Sequence, residues 1–131
     1  MLNNQVPSAL KKWFVLHFVA DIIFAIPLFI IPVQFLTALG WQSIDPVTTR
    51  MVAAALFGIG GESLLARNAS VDSYNTMLSL KIIWSAFAVI GLSWALFTGL
   101  FANYIIGISL LVIFVAFNIL WTYWKFRLKY S

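Results

Sequence analysis

His17 and Asp21 lie four residues apart in a stretch of otherwise apolar residues. In a helix, that spacing places both side chains on one face, one turn apart. Such a pair can share a proton, and the imidazole titrates near neutral pH. Three further stretches carry isolated polar groups in the same kind of setting. Glu62 lies five residues before Arg67, Lys81 is followed by Trp84 and Ser85, and Asn118 lies six residues before Trp124. If these side chains meet, the resulting site can hold a polar head group, relay protons, or do acid–base chemistry on an amphipathic substrate.

Other chemistries are poorly served. The single His and a few oxygen and nitrogen groups on separate segments give no metal-ligand spacing. A bis-histidine haem within one chain is excluded by the same count. The absence of cysteine excludes disulfides, thiolate metal sites and cysteine nucleophiles. Gly58-Ile59-Gly60-Gly61 lacks the Lys-Ser/Thr that follows a phosphate loop, and it is not a potassium-filter sequence. No serine is paired with a base and no cofactor fingerprint is present, so no catalytic residue and no cofactor is assigned. A non-enzyme is expected ahead of an enzyme such as an isomerase on a lipid substrate, which stays open although no motif singles it out.

Each polar residue also has a plainer reading. Lys81 can snorkel to a lipid surface. Glu62 can pair with Arg67 or Lys81. His17 and Asp21 can lock helix packing, and Asn118 can bridge two helices by hydrogen bonds. Arg50 reads as an interfacial anchor.

Composition decides what positions these groups. The 131 residues are 63% hydrophobic and 9% charged, with a mean hydropathy of +0.98. A soluble domain has about 25% charged residues. A single small domain has too much surface for its volume to hide that much apolar material from water, so lipid is the matching solvent. The net charge of +4 is scattered along the chain. It forms no clustered face for a phosphate backbone, which argues against nucleic acid as a partner.

A helix needs roughly 20 apolar residues to cross the hydrocarbon core. Four stretches meet this, from about Trp13 to Leu39, Val47 to Ala66, Leu80 to Phe97 and Tyr104 to Trp124. They are continuous runs without alternation, and lipid permits only helices or closed barrels. The expected fold is therefore an all-α, integral membrane four-helix bundle forming one domain. Lys11 and Lys12 precede an apolar stretch longer than that of a cleavable signal, so the first segment is expected to stay as a helix.

Local signals mark the ends. Asp45-Pro46 pairs a capping carboxylate with a proline at the first helical position. Ser70 or Ser73 can cap the third helix, which can begin with an amphipathic turn through Tyr74 and Met77. Gly99 ends it, and Asn103 can cap the fourth. Pro27 and Pro32 each remove a backbone donor from the long first segment. A kink is expected near Pro27, with Val33 to Trp41 bending toward the far surface.

Lys11, Lys12, Arg67, Lys81, Lys125, Arg127 and Lys129 fall on one side of such a bundle, and only Arg50 falls on the other. Cytoplasmic flanks are rich in Lys and Arg, so both termini are expected in the cytosol, with the protein multi-pass in the cell (inner) membrane. Trp13, Trp41, Trp84, Trp121, Tyr123, Trp124 and Tyr130 lie near expected interfaces. Counted at 1.5 Å per residue, His17, Asp21, Glu62, Lys81 and Asn118 fall roughly 3–12 Å from the same surface. The expectation is a ligand-binding pocket in the cytosolic half, formed by His17, Asp21, Glu62, Lys81, Trp84 and Asn118. Ala54, Gly58 and Gly61, and likewise Gly91, Ala95 and Gly99, form stripes that let helices approach closely, within the chain or in a homo-oligomer.

Two stretches, Arg50-Met-Val-Ala-Ala-Ala-Leu-Phe-Gly-Ile-Gly-Gly-Glu62-Ser63 and Tyr74-Asn-Thr-Met-Leu-Ser-Leu-Lys81-Ile-Ile-Trp84-Ser85, stand beside the Pro32 to Gly40 segment. Together they resemble small four-helix prokaryotic membrane proteins of the broad DoxX-like kind. The resemblance covers about two-thirds of the chain. It implies the helix count and no catalytic residue.

The function expected first is that of a membrane-embedded binding protein for a lipid-like or amphipathic small molecule. The alternatives are a proton or small-ion transporter acting as an oligomer, and a structural accessory subunit of a membrane complex.

Overall fold

The computed structural model describes residues 5–129. Tyr130, expected at the inner interface, and the side chain of Lys129 lie outside the described residues. Within them the chain is all-helical, with α1 (Ser8–Ile30), α2 (Pro32–Ala38), α3 (Pro46–Leu65), α4 (Val71–Phe97) and α5 (Tyr104–Lys129).

Helices α1, α4 and α5 are long and apolar enough to cross a membrane. Helix α3 is 20 residues long, which at 1.5 Å per residue matches the hydrocarbon thickness of about 30 Å. Arg50, Glu62, two threonines and three glycines lower its hydropathy, and it does not join the other three.

The first expected span is two helices. Helix α1 runs through Pro27 to Ile30, with the Ile31 amide donating to the Pro27 carbonyl at 3.0 Å. The break falls at Ile31, whose φ of −127° and ψ of 55° are non-helical. A residue before proline is driven from the helical region, and Pro32 has no N–H to continue the ladder. Pro32 instead opens α2 at its first turn, where no N–H is required. Helix α2 closes on Gly40, at φ 87°. Gly40 and Trp41 donate to the Thr37 and Leu36 carbonyls, both at 2.9 Å, as in a Schellman ending.

The other ends follow the capping signals. Asp45 accepts from the amides of Val47 at 3.0 Å and Thr48 at 3.2 Å, and from the Thr48 hydroxyl. Those bonds favour the charged carboxylate, with the Thr48 side chain the largest contributor, and hold the Asp45 carboxyl below its ordinary range. A lowered folded-state pKa stabilises above the unfolded value and is lost as pH falls through the folded one. The first turn of α3 is therefore expected to keep slow amide exchange at Val47 and Thr48 down to the ordinary Asp range. It should fray only in stronger acid, and Asp45→Ala should exchange fast at every pH.

Ser70 caps α4 by accepting from the Ser73 amide, so the helix starts a full two turns before its apolar part. At the far end Gly99 adopts φ 70°, and Leu100 donates to the Ala95 carbonyl at 2.9 Å. Asn103 then caps α5 through the Ile105 and Ile106 amides at 3.1 and 3.4 Å.

The helices pack as two compact units, residues 8–68 and residues 69 onward. In the first, α1 and α3 lie against each other and α2 touches both. The buried positions of α3 are Thr49, Ala53, Leu56, Gly60 and Ser63, a four-three spacing that makes one narrow seam. The expected stripe is not this seam. A Cβ at Gly58 or Gly61 would meet nothing within 4 Å, and the same holds for Gly91 and Gly99. The glycine that permits close approach is Gly60, where a Cβ would sit 2.7 Å from Asp21 Cβ. In the second unit α4 and α5 form an antiparallel hairpin, with Gly107 under Leu96. The outward faces of that hairpin are apolar, with Phe97 90%, Ile105 75% and Phe87 70% exposed.

Candidate functional site

Helix α1 buries one line of side chains, Leu10, Phe14, His17, Asp21 and Ala25. The i,i+4 spacing brings His17 Nδ1 to 3.1 Å from Asp21 Oδ2, and both residues are buried. That distance is that of an ion pair, and Oδ2 accepts no hydrogen bond. Asp21 lies against bare backbone at Gly60, its Oδ2 3.0 Å from where a Cβ would stand. Only glycine lets α3 come this near the carboxylate.

Glu62 stands in the same turn of α3 and is half-buried. It is two residues from Gly60, about 200° round the helix, so it faces away from the Asp21 contact. Deeper along the hairpin, Arg50 Nε donates to the Phe29 carbonyl at 3.0 Å, and Phe29 meets Phe57 edge to face at 6.0 Å. Arg50, read as an interfacial anchor, thus satisfies a carbonyl of the last turn of α1.

The second hairpin has its own polar seam. Ser85 donates to the Lys81 carbonyl at 2.7 Å. Asn118 Nδ2 donates to Ser85 Oγ at 2.9 Å and to the Ile82 carbonyl at 3.0 Å. Asn118 therefore bridges α4 and α5. Lys81 does not snorkel: it is 1% exposed, with Nζ 5.3 Å from the Trp121 ring centroid, a cation–π geometry. Trp84 lies on the same helix, half-buried. One turn toward the end of α5, Lys125 Nζ reaches the Asn75 carbonyl at 2.7 Å and Ser79 Oγ at 2.6 Å.

Of the six residues singled out in the sequence, the first hairpin joins His17 to Asp21. The second holds Asn118 on the backbone and hydroxyl beside Lys81. Sequence reading missed Gly60 and Trp121. Trp121 was placed in an interfacial belt, yet it is 1% exposed and stacked on Phe117 at 5.6 Å. Its position three residues after Asn118 was the available signal. Gly60 gave none, because its neighbours Gly58 and Gly61 are equally small.

No protein-family model, curated protein or solved structure matches this chain.

Proposed function

We propose that this chain is a multi-pass protein of the cell (inner) membrane, with both termini in the cytosol and α3 as a fourth span. It binds a lipid-like or amphipathic small molecule in the cytosolic half. The resemblance to DoxX-like proteins agrees with the helix count of this reading.

The observation that carries it is the Asp21 carboxylate, buried in a membrane-capable helix and pressed on Gly60, with one oxygen that accepts no hydrogen bond. A buried polar atom without a hydrogen bond is costly, and an ionisable group inside a span is costly again, by roughly 2.5–3.5 kcal/mol. A ligand whose polar end donates hydrogen bonds offsets that cost. His17 Nδ1 sits 3.1 Å from the same oxygen and closes one side of it. Lys81, Trp84 and Asn118 form the polar seam of the second hairpin, a separate feature.

The test is thermal unfolding of the purified protein with three single-chain probes of one length: monoolein and oleylamine as donors, and oleate as an acceptor control. The donors are expected to raise Tm in the natural protein and to lose that effect in Asp21→Asn, which still folds. Equal stabilisation of both proteins removes the reading.

A further inference from the structure

About two turns before Asp21 along α1, the first hairpin opens into a cleft of about 270 Å³ lined by Lys11, Lys12, Val15, Arg67 and Asn68. Three of its five walls are cationic, and no carboxylate is among them. Lys11 and Lys12 stand in the first turns of α1, where the helix dipole adds positive potential. Arg67 follows the last turn of α3, and one of its terminal nitrogens donates to the Leu64 carbonyl at 2.9 Å. That bond fixes a planar fork suited to phosphate oxygens.

Val15 gives the cleft an apolar wall, and the cleft does not end there. Val15, Val19, Ile23, Ile26 and Ile30 are all exposed. Their spacing of four, four, three and four puts them in one stripe down α1. A cationic mouth thus opens directly onto a continuous exposed apolar track on a helix fit to cross a membrane. A free anion has no use for such a track.

We infer that the Lys11–Lys12–Arg67 cleft is a binding site for the headgroup of an anionic phospholipid, whose acyl chain lies along the Val15–Ile30 stripe. The phosphate diester accepts from the two ammonium groups and the guanidinium, and Asn68 can donate to a headgroup hydroxyl. Basic pockets at the ends of membrane helices hold anionic lipids by this combination, each Lys or Arg contributing about 1 kcal/mol, or about fivefold in affinity. The site does not depend on the carboxylate reading above, since it uses none of the same side chains.

The test is titration of the protein in maltoside micelles with dioctanoyl phosphatidylglycerol, read by Tm and by native mass spectrometry. Dioctanoyl phosphatidylcholine and inorganic phosphate serve as the other probes. Phosphatidylglycerol is expected to bind and stabilise, and phosphatidylcholine to do so much less. Lys12→Gln should weaken binding about fivefold, and the Lys11→Gln/Lys12→Gln/Arg67→Gln triple variant about a hundredfold. These side chains lie at the surface, so the variants fold. Arg127→Gln should bind as the natural protein does. Undiminished binding by the triple variant overturns the inference. So does an equal loss in Arg127→Gln, which would mean diffuse charge, or saturation of the same response by inorganic phosphate.

Discussion

Gly60→Leu is expected to separate α1 from α3 and to destabilise the first hairpin by about 3 kcal/mol or more, at the upper end for overpacked cores. The first added carbon already falls 2.7 Å from Asp21 Cβ. That atom is the root of its side chain, so no rotamer change clears it and the helix itself must move. Gly58→Ala, two residues away, meets nothing within 4 Å. It should be neutral or gain up to about 1 kcal/mol from helix propensity. A second substitution tests the contact itself. Asp21→Gly in a Gly60→Ala background should recover much of the Gly60→Ala loss, a coupling of about 0.5–3 kcal/mol. Unfolding in bicelles by a denaturing detergent compares these variants, and Asp21→Gly alone, with the natural protein. A Gly60→Leu protein as stable as the natural one removes the contact from consideration.

Trp121→Ala should be the most damaging change in the second hairpin, at about 3 kcal/mol, the low end for a buried aromatic residue. The low end applies because burial away from lipid carries little hydrophobic gain, so only packing is lost. The ring is 1% exposed. It stacks on Phe117 with planes 16° apart and underlies the Lys81 ammonium. Trp121→Phe keeps a ring face beneath that cation and should lose less. Trp94, at 71% exposure, is the control, and Trp94→Ala should leave stability unchanged. Near-ultraviolet dichroism and the same unfolding assay separate these outcomes.

What was legible in the sequence was local. Asp45, Ser70, Gly99 and Asn103 act within four residues of themselves, and their chemistry shows in order and type alone. Runs of apolar residues likewise gave helices. Helical phase was not legible. In water an amphipathic helix announces its buried face, but a helix apolar all round does not. Gly60 was therefore indistinguishable from Gly58 and Gly61, and Trp121 from the exposed Tyr123. Lys81 misled for a related reason. A lysine near a helix end ordinarily reaches outward, and only the fold shows a tryptophan face holding it inside. At the first segment both prolines were visible, but which of them ends the helix depends on what receives the stranded carbonyls.

The bond from Arg50 to the Phe29 carbonyl bears on how the chain is made. The ribosome delivers Phe29 twenty-one residues before Arg50. By the time the guanidinium emerges, its acceptor already stands in the helix that preceded it. The N-terminal segment is thus a template for its successor, and the arginine meets a companion already in place.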